Sequence, residues 1–147
     1  MAELLDNSQD RECGSTRVDV DAYLLNPRLD KLSYCLSVQD DGVGMDRARL
    51  NNMLSFGFSD KEHVSGNVGR FGIGFKSGSM RLADDVLILT KREGFAHCAM
   101  LSQSFLDAIG ADDILIPMFS WQIAADGKYH ATEPADATEW SSNMAIM

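Results

Sequence analysis

Four closely spaced glycines, Gly66, Gly69, Gly72 and Gly74, lead directly into the segment Phe75-Lys76-Ser77-Gly78-Ser79-Met80-Arg81-Leu82. A glycine loop that opens into a helix presents several backbone N–H groups, and it adds the favourable end of the helix dipole. Both suit a phosphate. The order of glycines from Gly69 to Gly74 is Gly-x-x-Gly-x-Gly. It matches neither the Gly-x-Gly-x-x-Gly dinucleotide fingerprint nor a loop ending in Gly-Lys-Ser/Thr. The pattern predicts a flexible stretch over 57–74 and a helix over 75–82, flanked by elements that must hold this junction in place. Taken alone, it also suits a plain glycine-rich loop. Arg70 and Lys76 add positive charge to a chain whose formal net charge is −9.

Two other clusters carry chemistry. Glu3 and Asn7 are four residues apart in a segment expected to be helical over 2–12, so they share one helix face. A carboxylate and a carboxamide oxygen aimed the same way suit one water and one hard cation. Asn7 is a magnesium ligand candidate through its carbonyl oxygen, and Glu3 a general-base candidate. The same residues would also make an ordinary acidic helix face. The second cluster is Asp40-Asp41-Gly42-Val43-Gly44-Met45, which follows an expected strand over 34–39. A buried carboxylate at that strand end can accept a hydrogen bond from an exocyclic amine, and glycines let the backbone pass close to a planar ring. The same residues also make a simple Asp-Gly turn.

The remaining chain reads as short elements. Alternating Val18, Val20 and Ala22 predict a half-buried strand over 17–24, paired with 34–39. Asp46 is an N-cap for a helix over 47–56. A hairpin is expected over 86–91 and 95–101, then a short helix from Ser102 to Gly110, and a strand over 114–121. The polar stretch 124–139 reads as loop, with a helix starting near Ser141. Paired strands with helices on one side predict an α+β sandwich rather than a doubly wound sheet.

Composition narrows the function classes. No apolar run is long enough for a membrane span, and acidic residues stand where a secretory signal would carry positive charge. Cys13, Cys35 and Cys98 are scattered, which argues against a disulfide framework or a zinc site. The acidic balance disfavours non-specific nucleic-acid binding by this segment, but not a nucleotide held with its cation. His63, His97 and His130 form no cluster, and Met53, Met80, Met100 and Met118 read as core filler.

A metal-and-base helix, an amine-binding carboxylate after a strand, and a phosphate loop entering a helix follow one another in that order. The arrangement resembles the Bergerat fold of the GHKL ATPases, which include gyrase, the 90 kDa heat-shock chaperones, histidine kinases and MutL. Leu54-Ser55-Phe56-Gly57-Phe58-Ser59-Asp60-Lys61 and Phe75-Lys76-Ser77-Gly78-Ser79-Met80-Arg81-Leu82 look like the MORC branch, as do Leu101-Ser102-Gln103-Ser104 and Ile114-Leu115-Ile116-Pro117. The resemblance covers about 2–121 clearly and 122–147 loosely. It implies an ATPase core over 1–121 with a Bergerat-type mixed, mostly antiparallel sheet, and a loop and helix start over 122–147.

By the same resemblance, Glu3 activates the attacking water, Asn7 holds Mg2+, and Asp40 meets the adenine amine. Gly42, Gly44 and Met45 shape the adenine pocket. Gly69, Arg70, Phe71, Gly72, Ile73, Gly74, Phe75 and Lys76 form the lid over the phosphates. Ile73 stands where relatives often carry Asn. MORC proteins are nuclear ATPases that form homodimers on binding ATP and act in gene silencing and chromatin compaction. Contact with chromatin or DNA is expected through regions outside this chain. The chain is expected to be cut short at both ends and, alone, to turn over little ATP. The rival readings are a nucleotide-gated interaction module without useful turnover, and another GHKL branch such as a chaperone or a MutL-like protein.

Overall fold

The computed structural model describes residues 2–10, 12–25, 34–55, 71–132 and 144–146, with backbone only for 71–74 and 144–146. The chain divides into two compact units, Ala2–Val43 and Gly44–Met147.

The first unit holds helix α1 (Ala2–Gln9) and strands β1 (Val18–Leu24) and β2 (Tyr34–Asp40). The helix is shorter than the expected 2–12. It gives way to a turn in which the N–H groups of Cys13 and Gly14 both donate to the Asp10 carbonyl. Gly14 is left-handed at φ 63°, which glycine adopts without penalty. β1 and β2 pair antiparallel from Val18 opposite Asp40 to Leu24 opposite Tyr34, as expected. The expected burial of alternate residues is not seen, since Val20 and Ala22 are exposed and Val18 is only half-buried. Among the described residues these strands pair only with each other.

The second unit is built on a sheet of order β3 (Asp85–Arg92), β4 (Phe95–Ser102), β5 (Leu115–Ile123), β6 (Tyr129–Ala131), with β7 (Met144–Ile146) also pairing with β5. Among the described residues every pairing in this sheet is antiparallel. β3 and β4 join through Glu93 and Gly94, both at positive φ (50° and 80°). That geometry matches the right-handed twist of a two-residue hairpin. Ile88, Ala99 and Met118 lie opposite one another across three strands and are buried together with Leu101 and Ile116. The same unit buries Leu50 and Leu54 of α2 (Arg47–Ser55) and Phe75 of α3 (Phe71–Ser79). Arg47, at the start of α2, donates to Ser120 Oγ of β5 at 3.1 Å, and Ser120 Oγ lies 2.8 Å from His97 Nδ1. Helix α2 thus lies over the face of the sheet that bears Ile88, Ala99 and Met118. Leu87 and Leu89 stand on the other face, 61% and 71% exposed. The fold is α+β, as expected. Among the described residues no helix is long and apolar enough to cross a membrane.

Further expectations need correction. The helix placed over 75–82 begins at Phe71, so Gly72 and Gly74 lie in its first turn. There the N–H groups have no intrahelical partner anyway. A glycine in a helix costs about 1 kcal/mol relative to alanine, and burial of the Phe75 side chain on α3 acts against that cost. The rest of the glycine stretch, 57–70, lies outside the described residues, as does His63. In the tail read as loop, Ala124–Lys128 closes a turn with Gly127 at φ 80°, and β6 follows. Asp126-Gly127 was the hairpin signal there. Where a helix was expected from Ser141, residues 144–146 form β7. Of the expected filler, Met118 is buried, whereas Met80 is 37% exposed.

Helix α4 (Gln103–Ile109) is capped at both ends. Ser102 Oγ accepts from Phe105 N–H at 2.9 Å, and Gly110 closes the helix in the left-handed region. The Ser102 hydroxyl donates to Asp85, which also accepts from Ser104 N–H and Ser104 Oγ. The Ser102 hydrogen bond, ahead of those from Ser104, holds the Asp85 carboxyl below its ordinary value. Ser102→Ala is expected to cost roughly 1–2 kcal/mol, as removal of an N-cap does. Because the folded-state value is depressed, Asp85 contributes stability that is fully present above its ordinary value of about 3.9 and is lost as pH falls below it. Acid unfolding followed by circular dichroism checks this: Ser102→Ala flattens the acid limb, and an unchanged limb counts against the assignment.

Candidate functional site

In the first unit, α1 carries Glu3, exposed on its first turn, and Asn7, half-buried one turn later. Asp40 is the last residue of β2. Its carboxylate was expected to be buried, but the residue is exposed, because it ends a two-stranded ribbon. Local groups hold it instead. Gly42 N–H donates to Oδ1 at 2.9 Å, and Cys13 Sγ lies 3.6 Å from the same oxygen. Ser8 Oγ donates to the Leu4 carbonyl at 3.0 Å and stands 3.5 Å from Oδ2.

The neighbouring Asp41 has a different task, which the sequence reading missed. Its carboxylate accepts from Thr16 Oγ1 at 2.6 Å, Thr16 N–H at 2.7 Å and Arg17 N–H at 2.9 Å. The Thr16 hydroxyl first, then the two backbone N–H groups, hold this carboxyl well below the usual carboxylate range. Asp41 therefore ties the loop after β2 to the chain entering β1. The run Ser15-Thr16 was the available signal, since short hydroxyl side chains seek nearby polar partners in turns. Gly42 is required by space: a Cβ there would stand 2.4 Å from Cys13 Sγ and 2.7 Å from the Cys13 carbonyl oxygen.

In the second unit the loop continues as Gly44 and Met45. Gly44 is at φ 66°, and Arg92 Nη1 donates to its carbonyl at 3.2 Å. The Met45 N–H donates to Thr90 Oγ1 at 2.7 Å. Thr90 was not singled out from sequence, where it simply follows the apolar run Val86–Leu89. Of the lid residues, Gly69 and Arg70 lie outside the described residues. The backbone of Phe71, Gly72, Ile73 and Gly74 forms the first turn of α3, whose N–H groups lack intrahelical partners. Phe75 and Lys76 are buried. Burial pushes the Lys76 ammonium down to about 8. The structure thus brings Glu3, Asn7, Asp40 and Gly42 into one unit, and Gly44, Met45 and the α3 residues into the other.

A helix bearing Glu3 and Asn7 one turn apart, a carboxylate set at a strand end, and a glycine-bearing helix start are the features on which the comparison with known proteins bears. The family described as histidine kinase-, DNA gyrase B-, and HSP90-like ATPase matches residues 1–131. The chain belongs to this ATPase family, whose ligand is ATP. Within it, the chain is similar to mouse MORC family CW-type zinc finger protein 3, at 37% identity over 123 residues, covering 82% of this chain and 12% of the relative. It is 36% identical over 124 residues to the human ATPase MORC2, covering 82% of this chain and 11% of that protein. It is 35% identical over 153 residues to Arabidopsis thaliana Protein MICRORCHIDIA 6, covering 100% of this chain and 22% of the relative. The chain thus spans less than a quarter of the length of each of these three relatives.

Proposed function

We propose that this chain supplies the catalytic half-site for cleaving the terminal phosphate of Mg-ATP. The observation that carries the proposal is the first unit's arrangement: Glu3 and Asn7 one turn apart on α1, and Asp40 held at the end of β2 through one carboxylate oxygen. In this reading Asp40 accepts a hydrogen bond from the adenine 6-amino group, beside Gly42, Gly44 and Met45. The amides of Gly69, Arg70, Phe71, Gly72, Ile73 and Gly74, with Phe75 and Lys76, cover the phosphates. Glu3 takes a proton from water as that water's oxygen bonds to the γ-phosphorus and the bond to the β-phosphate bridging oxygen breaks.

Magnesium fits this chemistry. Among the described residues no group of three or more His, Cys, Asp or Glu could hold a metal ion. Magnesium needs no such cage, since it takes one or two protein oxygens and fills its shell with water and phosphate. Asn7 offers the hard oxygen. When bound, the ion neutralises charge on the phosphates.

The wider reading follows from the resemblance to the MORC branch. The whole protein is a MORC-like nuclear ATPase that forms a homodimer on binding ATP and acts in chromatin compaction or gene silencing. Chromatin or DNA is contacted by regions other than this segment, whose net charge of −9 repels a polyanion.

The adenine assignment is tested by calorimetry with ATP and GTP. Guanine presents a carbonyl where adenine presents the amine, so it sets oxygen against the Asp40 carboxylate. A charge-assisted bond of this kind contributes about 1.5–3 kcal/mol, so ATP is expected to bind at least about tenfold more tightly. Asp40→Asn removes most of that preference. Equal affinities in the parent chain, or an undiminished preference in Asp40→Asn, would sink the assignment.

A further inference from the structure

Cys13 belongs to none of the motifs above, yet both its backbone and its side chain engage the loop after β2. Its carbonyl accepts from Val43 N–H at 2.8 Å, and its sulfur lies 3.6 Å from Asp40 Oδ1. Gly42 N–H reaches the same oxygen at 2.9 Å. The sulfur and Gly42 are so close that a Cβ on the glycine would stand 2.4 Å from Sγ. Burial first, then the charge of Asp40, pushes the Cys13 thiol up from its ordinary value, so at neutral pH the sulfur keeps its hydrogen and donates it. Two donors on Oδ1 fix the rotation of the carboxylate. They leave Oδ2 as the acceptor, with the Ser8 hydroxyl 3.5 Å from it.

We infer that Cys13 is a positioning residue for base selection: its thiol and carbonyl set the Asp40 carboxylate so that Oδ2 receives the 6-amino group of adenine. The inference rests on the reading of Asp40 as the adenine acceptor. A purely structural cysteine would be indifferent to whether the bound base carries that amine. A positioning cysteine would not.

Purine riboside triphosphate, which lacks the 6-amino group, separates the two. ATP and this analogue are titrated into the parent chain, Cys13→Ala, Cys13→Ser and Asp40→Asn, with folding checked by circular dichroism. Cys13→Ala is expected to lower ATP affinity about 3- to 10-fold, the range for one neutral hydrogen bond, and to leave the analogue within about twofold. Cys13→Ser, which keeps a donor, restores most of the preference for ATP. A Cys13→Ala variant that weakens both nucleotides alike, or neither, overturns the inference. If Cys13→Ala does not fold, Cys13→Val, which is donorless but fills the site, carries the same comparison. If Asp40→Asn still prefers ATP, the Asp40 assignment itself fails. If Asp40→Asn loses the preference while Cys13→Ala keeps it, only the role of Cys13 falls.

Discussion

Replacing Glu3 by alanine is expected to lower phosphate release by about 10²–10⁴-fold, the range for loss of a positioned general base. ATP affinity should stay within about twofold of the parent, because a group that acts on the attacking water contributes little to ground-state binding. Asn7→Ala should behave differently. It removes a metal oxygen that binding itself uses, so affinity falls at least about tenfold, and turnover falls with it. The contrast depends on geometry, since Glu3 is exposed on the first turn of α1 and Asn7 is half-buried one turn on. Turnover is best read with this segment set in place of the matching 123 residues of the mouse MORC family relative. Binding is read by calorimetry on the same chimera. A Glu3→Ala chimera that releases phosphate at the parent rate removes Glu3 from the role of base. A variant that loses binding as completely as Asn7→Ala places Glu3 among the ligand contacts instead.

Much of this arrangement is written locally in the chain. Helix α4 is announced by Ser102 at one end and Gly110 at the other, and both caps form as expected. The Glu93-Gly94 hairpin is likewise set by neighbouring residues. The loop after β2 is legible as a motif, but not in its division of labour. Asp40 and Asp41 are adjacent and chemically identical. Only the fold shows that Asp41 is taken up by Thr16 and Arg17 while Asp40 is held by Gly42 and Cys13. The partners that decide this lie far off along the chain: Asp41 and Thr16 are 25 residues apart, Asp40 and Cys13 27, and Met45 and Thr90 45. No periodicity links such pairs, because each is fixed by strand register and loop path rather than by local propensity. The start of α3 was misplaced for a related reason. Glycine content argues for loop, and the burial of Phe75 shows what acts against it.

The loop after β2 also contains the position where a single methyl group should do the most structural damage. A Cβ on Gly44 would stand 2.2 Å from the Lys91 carbonyl oxygen and 3.0 Å from Thr90 Oγ1. Neither neighbour can retreat easily, because both lie in β3 and pair with β4, Lys91 opposite Ala96 and Thr90 opposite His97. The loop itself must move, and its anchors are the Met45 N–H bond to Thr90 and the Arg92 bond to the Gly44 carbonyl. Gly44 also sits at φ 66°, where a side chain costs roughly 1–2 kcal/mol. Overpacking adds roughly 1–3 kcal/mol. Gly44→Ala is therefore expected to destabilise the second unit by about 2–5 kcal/mol, a fall in melting temperature of roughly 10 °C for a chain of this size. Gly110→Ala is the internal control. Gly110 has nearly the same φ, 61°, but nothing lies within 4 Å of where its Cβ would stand. It should show the backbone term alone, about 1–2 kcal/mol. Thermal unfolding of both variants by calorimetry separates the two contributions. If Gly44→Ala unfolds no earlier than Gly110→Ala, the close approach of this loop to β3 is not a constraint in solution, and the anchoring of Met45 by Thr90 loses its support.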